Sequence, residues 1–319
     1  MKEAISHQFT TQNMSQNKTS GDLGFLYIAM GNDYFREAEK SAETLQDEMQ
    51  DFPITLITDK KECHSEHFDS INVVEDVSYS FGDVVNYIDQ SPYDKTVYLD
   101  TDIYIQSDIS EVFNMLEECD IAASVAENKW HMQHYDLEHP VKGVPEAFPW
   151  FNGGVIAFTK NKRTSRFFDL WRSEYRQDVQ NGIIHNMPSL RCALYFSNIQ
   201  LAPLPRRYNC LVRAANKTTG QIKVFHGRLE AFDALGASKE ADIQIATKVL
   251  NNTTDPRIYI PLTDGSFEII DETPVSIRTR YQSSNLIYRL IGSIQQHGIK
   301  NTLQTIYNKS LGYLNNFYN

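Results

Sequence analysis

Short apolar segments alternate with longer helix-like segments along most of the chain, and this alternation restricts the fold more than any other feature. Apolar runs at residues 25–30 and 54–58 flank an amphipathic stretch at residues 34–49. Strand, loop, helix and strand at this spacing form a βαβ unit, which joins parallel strands by a right-handed crossover. The sequence therefore predicts an α/β protein.

Later segments repeat the alternation. The further apolar runs lie at residues 71–74, 96–99, 121–125 and 155–158, and the helical patterns between them at 84–88, 109–116 and 163–176. Beyond Pro188 we predict a short helix to Phe196, a strand at 199–201, and a hairpin at 257–270 that turns at Asp264-Gly265. The expected architecture is an open, doubly wound parallel sheet with flanking helices.

This pattern divides the chain into four parts. Residues 1–22 are polar and are predicted to be a disordered N-terminus, and residues 23–255 are predicted to form the α/β domain. The hairpin occupies residues 256–272. Apolar residues at helical spacing from Leu286 onwards predict a helical tail over residues 273–319.

Charge separates the tail from the rest of the chain. The net charge is −11, which argues against a protein whose main task is binding nucleic acid phosphates. Residues 273–319 nevertheless carry five basic and no acidic side chains. An amphipathic basic tail could rest on an anionic membrane surface, and packing of its apolar stripe onto the α/β domain is the alternative.

Cysteine spacing and the N-terminal composition bear on location. The four cysteines are widely separated and form no C-x-x-C pair, which favours neither a zinc site nor a disulfide framework. Residues 1–20 contain no apolar leader segment. We therefore expect a cytoplasmic protein, which would lie at the cytoplasmic face of a membrane if the tail binds one.

An acidic triplet follows one of the predicted strands. Asp100 and Asp102, separated by Thr101, come directly after the apolar run at 96–99. Ligands of open α/β sheets bind beyond the carboxyl ends of the strands, and residues i and i+2 of an extended segment project to the same side. Two such carboxylates can hold a divalent cation that contacts phosphate oxygens.

Four segments in a fixed order carry a resemblance to a known family. They are Gly31-Asn32-Asp33-Tyr34 after the first strand, Asp100-Thr101-Asp102, Trp150-Phe151-Asn152-Gly153-Gly154-Val155, and Phe225-His226-Gly227. In this order they resemble nucleotide-sugar glycosyltransferases of the GT-A fold, and family 8 most closely, which implies a mixed, mainly parallel sheet with flanking helices. The resemblance covers roughly residues 24–230.

The resemblance implies a role for each segment. Asp100, Asp102 and His226 would bind the metal, and Mn²⁺ is favoured over Mg²⁺ because an imidazole suits the softer ion. Asn152, Gly153 and Gly154 would contact the donor sugar, and Gly227 and Arg228 the diphosphate. The residues implied for the nucleotide are Ala29, Asn32, Asp33, Tyr34, Asp59 and Thr101.

Two segments depart from the family pattern. Where the family carries an Asp-Gln pair before a helix, this chain has His185-Asn186-Met187-Pro188, so that Asn186 joins Asn152 as a candidate catalytic residue. Where a basic residue often faces the phosphates, the chain has Ser80-Phe81-Gly82-Asp83. Either change is compatible with a different donor sugar or with an inactive relative.

The function implied is sugar transfer from a nucleotide-sugar, with a UDP-sugar as first choice, to a glycan or lipid-linked acceptor. Family 8 implies retention of the anomeric configuration. A binding protein without turnover is the alternative. A sugar-1-phosphate nucleotidylyltransferase is disfavoured because the loop after the first strand is not glycine-rich and basic. The region between Trp130 and Trp150 is expected to be a variable loop that shapes the acceptor pocket.

Overall fold

The computed structural model describes residues 22–126, 143–211, 216–227, 251, 257–261, 267–271 and 278–281. A seven-stranded sheet in the order β3-β2-β1-β4-β7-β6-β8 forms its centre. Its strands are β1 (Leu23–Ala29), β2 (Ile54–Thr58), β3 (Ser70–Val73), β4 (Lys95–Leu99), β6 (Ile121–Ala126), β7 (Trp150–Thr159) and β8 (Leu201–Leu204). Strand β7 runs antiparallel to both neighbours, and the other pairs are parallel. The predicted mixed, mainly parallel sheet is confirmed.

Five helices accompany this sheet in the described residues: α1 (Gly31–Glu48), α2 (Phe81–Tyr87), α3 (Glu111–Met115), α4 (Lys162–Gln180) and α5 (Met187–Phe196). Strand β1 shows why both faces are covered. Its Phe25 and Tyr27 belong to a core with residues of α1 and α3, whereas Leu26 and Ile28 belong to a second core with residues of α2, α4 and α5. Since alternate side chains enter opposite cores, the strand is apolar throughout.

A second, three-stranded sheet lies beyond β4. It contains β5 (Ile103–Ile105), β9 (Cys210–Leu211) and β11 (Val224–His226), in the order β5-β11-β9. These strands are too short to show a periodic pattern of apolar residues and were not predicted from the sequence. The sheet nevertheless connects segments that are distant in sequence, because β11 pairs antiparallel with β5.

One predicted strand is displaced. The strand expected at residues 199–201 is β8, Leu201–Leu204, which contains Pro203. Proline lacks a backbone donor and is tolerated in an edge strand, and β8 is the last strand of its sheet. Pro203 therefore lies within the edge strand.

A four-stranded sheet comprises β10 (Asn216–Thr218), β12 (Arg257–Pro261), β13 (Phe267–Asp271) and β14 (Arg278–Tyr281). Strands β12 and β13 form the antiparallel pair expected for the hairpin. Strand β14 lies within residues 273–319, so residues 278–281 of the stretch assigned to the helical tail form a strand. Residues 282–319, where the helices are predicted, and residues 1–21 lie outside the described residues.

Among the residues that the structure describes, no helix combines the length and the apolar character that crossing a bilayer would require.

Candidate active site

The predicted site residues after β1, β2 and β4 share one edge of the large sheet. Strand β1 pairs in parallel with both others, with Ala29 opposite Thr58 and Tyr27 opposite Leu99. The loop after β1, Asp59 after β2 and Asp100 after β4 therefore leave the sheet side by side. Parallel pairing brings together residues that the sequence separates widely.

Asp100, Asp102 and His226 form a cluster at this edge. Each offers one ligand atom, and these atoms lie within 4.8 Å of one another. The Nε2 atom of His226 is 3.7 Å from Asp100 Oδ2 and 3.4 Å from Asp102 Oδ1. The pairing of His226 with Ile103, between β11 and β5, brings the histidine to the acidic triplet. The Gly227 amide donates to the carbonyl of Asp102 at 2.9 Å and closes the contact.

The donor set of this cluster fits a divalent cation. Ligands about 2.1 Å from an ion lie roughly 3 Å from one another, which is close to the separations found here. Two carboxylates and one imidazole combine hard oxygen donors with a nitrogen donor, and both kinds of group bind divalent metal ions in proteins. Asp102 and His226 are each only 6% exposed, so their polar atoms face little solvent.

Tyr98 fixes one oxygen of Asp100. Its hydroxyl donates to Asp100 Oδ1 at 2.6 Å, which leaves Oδ2 on the side of His226. Burial, and then the charge of Asp100, raise the pKa of Tyr98 well above its ordinary value. The tyrosine therefore remains a proton donor to the carboxylate throughout the neutral range.

Asn152 on β7 connects the cluster to the predicted donor-sugar segment. Its Oδ1 accepts a hydrogen bond from the Gly154 amide at 2.8 Å and another from Asn209 Nδ2 at 2.8 Å. Asn209 Oδ1 in turn lies 2.7 Å from His226 Nδ1. In the described part of the chain the Nδ2 group of Asn152 makes no hydrogen bond. Its two N–H donors therefore remain for a ligand oxygen.

The loop after β1 is held by Asp59. Gly31, at a φ of 81°, donates its amide to Asp59 Oδ1 at 2.8 Å, and Tyr79 donates its hydroxyl to Oδ2 at 2.8 Å. Burial raises the pKa of Asp59, but these hydrogen bonds outweigh it and leave the pKa below its usual value. Asp59, predicted as a nucleotide contact, is an ionised anchor for the loop in this structure.

Tyr79 lies beside the loop after β1 and was not singled out from the sequence. It has a φ of 50°, which is uncommon for a residue other than glycine, and it is 67% exposed beside Gly31. The sequence shows at this position only a tyrosine between two serines.

The other predicted nucleotide residues differ in accessibility. Asn32, Asp33 and Tyr34 are exposed in the first turn of α1. Ala29 is 1% exposed, so neither its backbone nor its side chain offers much surface to a nucleotide. The hydroxyl of Thr101 donates to Glu37 of α1, which ties the acidic triplet to that helix.

Asn186 precedes α5 and is buried. The backbone carbonyl of Asn186 accepts hydrogen bonds from Trp171 Nε1 at 3.2 Å and from Ser189 Oγ at 2.9 Å. A Cβ on Gly153 would meet Leu190 of α5 at 3.9 Å, so the donor-sugar segment and this helix are neighbours. Gly227 has a φ of 113°, and Arg228 lies outside the described residues.

Asp83, in the segment where the family often has a basic residue, takes part in a helix cap. It is 3% exposed and accepts from the amides of Ser78 at 2.7 Å and Ser80 at 3.1 Å. The side chain of Ser80 completes the capping box of α2. The acidic replacement thus has a structural role, and it places no positive charge at the site.

A mainly parallel α/β sheet with an acidic triplet and a histidine at its carboxyl edge defines a GT-A glycosyltransferase. The sequence profile described as "Glycosyl transferase family 8" matches residues 11–226. The chain belongs to glycosyltransferase family 8, and the predicted family and hexosyltransferase-type enzyme class are confirmed.

Solved structures were compared with the chain as well. The galactosyltransferase LgtC, in complex with donor and acceptor sugar analogs, is 11% identical with a TM-score of 0.49, over 73% of this chain and 98% of LgtC. GlyE of Streptococcus pneumoniae TIGR4 is 14% identical with a TM-score of 0.47, over 73% of this chain and 61% of GlyE. Mouse xyloside xylosyltransferase 1 is 12% identical with a TM-score of 0.42, over 65% of this chain and 97% of the xylosyltransferase chain. No curated protein matches the chain in sequence.

Proposed function

We propose that this protein transfers a sugar from a UDP-sugar to a glycan or lipid-linked acceptor, with retention of the anomeric configuration and with Mn²⁺ as its cation. The proposal is carried by the cluster of Asp100, Asp102 and His226 in a chain of this family. Mg²⁺ is the second choice of cation, because the imidazole favours the softer ion.

Asp100, Asp102 and His226 would hold the cation. When bound, it would supply a positive charge that stabilises the diphosphate leaving group. The protein residues prepare the site for this role: Tyr98 fixes one oxygen of Asp100, and the Gly227 amide fixes the backbone of Asp102. Because these contacts exist in the protein itself, the carboxylates need little rearrangement on binding.

Asn152 is proposed to orient the donor sugar. Its carbonyl oxygen is occupied within the protein, and its N–H groups can donate to a sugar hydroxyl. Exposed Tyr34 offers an aromatic face for the base, and Tyr79 lies near the same loop. Gly227 and Arg228 are proposed to approach the diphosphate.

A binding protein without turnover is the second candidate. It is favoured by the segment His185-Asn186-Met187-Pro188, which stands where the family carries an Asp-Gln pair. It is also favoured by Asp83, whose carboxylate takes part in a helix cap within the segment where a basic residue is usual. An uncharged residue before α5 would contribute less electrostatic stabilisation to a charged transition state than a carboxylate would.

A panel of nucleotide-sugars, tested by thermal shift with and without Mn²⁺, would identify the donor. A ligand at 100 times its Kd stabilises by about 2.7 kcal/mol, which raises the Tm by several degrees. We expect a UDP-sugar to give this shift only when Mn²⁺ is present. Stabilisation by another nucleotide, or without the cation, would contradict the proposed donor and cation.

Turnover separates the two candidates. With the donor from the panel, the enzyme is expected to transfer or slowly hydrolyse the sugar, and Asp102→Asn is expected to reduce the rate at least about 100-fold. NMR of the first-formed glycosidic bond would report retention. Donor binding without any transfer or hydrolysis would support the binding protein, and an inverted product would refute retention.

The basic tail is proposed to bring this site to a lipid-linked acceptor at the cytoplasmic face of a membrane. Its support is the charge of residues 273–319, which are basic while the rest of the chain is acidic. A lipid-linked acceptor is confined to the membrane surface, so even weak attachment would raise the rate of encounter.

A further inference from the structure

We propose that Asn209 is a positioning residue that holds His226 in the tautomer with hydrogen on Nδ1, so that the lone pair of Nε2 faces Asp100 and Asp102. Asn209 and His226 are 4% and 6% exposed, and the bond between them is 2.7 Å long. The tautomer of His226 is a property of the protein without metal. Only its expected effect on cation affinity rests on the proposed function.

The orientation of the network follows from one backbone group. The Gly154 amide can only donate, so the atom of Asn152 at 2.8 Å from it must be the carbonyl oxygen. The atom of Asn209 that is 2.8 Å from this same oxygen must then be the NH₂ group. The other end of Asn209 is therefore its oxygen, which accepts from His226 Nδ1.

The tautomer of His226 decides which nitrogen can bind a cation. In neutral imidazole one nitrogen carries hydrogen and the other carries the lone pair, and a hydrogen bond to one nitrogen fixes the role of the other. An unconstrained imidazole in water favours hydrogen on Nε2. That form would point an N–H group at the two carboxylates and could not coordinate. Asn209 thus selects the less favoured form, which is the one that coordinates.

Gly154 has a second part in this arrangement. A Cβ at this position would lie 2.2 Å from His226 Cε1, so the ring packs directly against the glycine backbone. The same residue therefore sets the ring's position by close packing and its tautomer through the two amides. Because Asn152 is also the proposed contact of the donor sugar, the network joins that contact to the proposed metal ligand.

The tautomer can be measured in the metal-free protein. The ¹⁵N chemical shifts of His226, observed with the ring neutral and assigned by its loss in His226→Gln, distinguish hydrogen on Nδ1 from hydrogen on Nε2. We expect Nδ1–H in the wild type and a shift toward Nε2–H in Asn209→Ala. Nε2–H in the wild type would overturn the inference, even if no variant could be prepared.

Mn²⁺ affinity, measured by electron paramagnetic resonance on the full chain, tests the consequence. Loss of such an outer partner lowers metal affinity about 10- to 100-fold, and we expect this loss in Asn209→Ala. Tyr208→Phe is the matched control, because it removes a hydroxyl bond to Glu111 from the same turn and leaves the amide network intact. Its Mn²⁺ affinity is expected to equal that of the wild type.

These measurements distinguish a failure of the positioning role of Asn209 from a failure of the proposed metal dependence. Unchanged Mn²⁺ affinity in Asn209→Ala, or an equal loss in Tyr208→Phe, would overturn the positioning role. A wild type that binds neither Mn²⁺ nor Mg²⁺ would refute the metal dependence in the proposed function. In that case the tautomer of the metal-free protein decides the inference by itself.

Discussion

Two adjacent glycines show how much a single position matters at this site. The sequence assigned Gly153 and Gly154 the same role, close approach to a donor sugar. In the structure, a Cβ on Gly153 would have only ordinary contact with Leu190, at 3.9 Å, whereas a Cβ on Gly154 would overlap the ring of His226. Gly154 is therefore required by the protein's own packing, independently of any ligand.

Gly154→Ala is expected to displace His226. The ring is buried and held by Asn209, so the overlap must move the ring or the β7 backbone, at a cost of about 1–3 kcal/mol. Chemical denaturation would measure the loss of stability, and Mn²⁺ titration the loss of affinity. Gly153→Ala is the matched control and should retain both within about 0.5 kcal/mol. Equal effects of the two substitutions would show that ring packing is not the reason for glycine at position 154.

At the scale of elements, Asp120 joins three parts of the fold behind the site. It precedes β6, is 1% exposed, and accepts from Arg163 of α4 at 2.7 and 2.8 Å. Asn161, the N-cap of α4, donates at 2.8 Å, and the amide of Gln200, before β8, donates at 2.9 Å. One carboxylate therefore holds the starts of two strands and one helix together.

Asp120 should make stability depend on pH in the acid range. Burial raises its pKa, but the hydrogen bonds from Arg163, Gln200 and Asn161 outweigh burial and lower the pKa below the ordinary value of 3.8. A lowered folded-state pKa contributes stability above the unfolded pKa and loses it as the pH falls through the folded pKa. We expect the free energy of unfolding to fall below about pH 4.

Asp120→Asn tests this contribution. It should lower stability at neutral pH by about 2 kcal/mol, because bonds to a charged group are lost, and should flatten the acid decline. Urea denaturation between neutral and acid pH would measure both effects. Asp51→Asn, at an exposed position, is the control and should follow the wild type. An acid decline of the same size in Asp120→Asn would assign it to other carboxylates.

At the scale of the whole molecule, charge is distributed unevenly. The metal-site carboxylates explain only a small part of the acidity of the main body, and hydrogen-bonded carboxylates such as Asp59, Asp83 and Asp120 are used in the fold itself. The basic residues of 273–319 have a different character, since no acidic residue accompanies them.

Removal of positive charge from the tail should weaken binding to anionic vesicles. Arg289, Lys300 and Lys309 can be changed together to glutamine in the full chain. Each basic residue near an anionic surface contributes about 1 kcal/mol, so the triple variant is expected to bind at least about 100-fold more weakly. Co-sedimentation with phosphatidylserine-containing vesicles measures this, with phosphatidylcholine vesicles as the control. Unchanged binding, or no binding by the wild type, would remove the tail from the proposed mechanism.

The sequence by itself determined the α/β class, the main strands and helices, and the acidic half of the proposed metal site. These features depend on local periodicity and on residues adjacent to a strand end, such as Asp100 and Asp102 after β4. The resemblance added His226, although spacing could not place it beside the aspartates. Arg228 and residues 127–142, which include Trp130, lie outside the described residues, so the predictions for them stand as predictions.

Tertiary structure decided how the site is assembled. The pairing of β11 with β5 brings His226 to Asp102, and β9 carries the chain on from Asn209 beside the same histidine. The tertiary structure also places Asp83 in the capping box of α2. It brings the Tyr79 hydroxyl to Asp59, beside the loop after β1. These relations depend on contacts between residues far apart in sequence, which short strands of two or three residues cannot signal. These contacts form only when the seven-stranded sheet has folded, because its strands determine where each connecting segment begins.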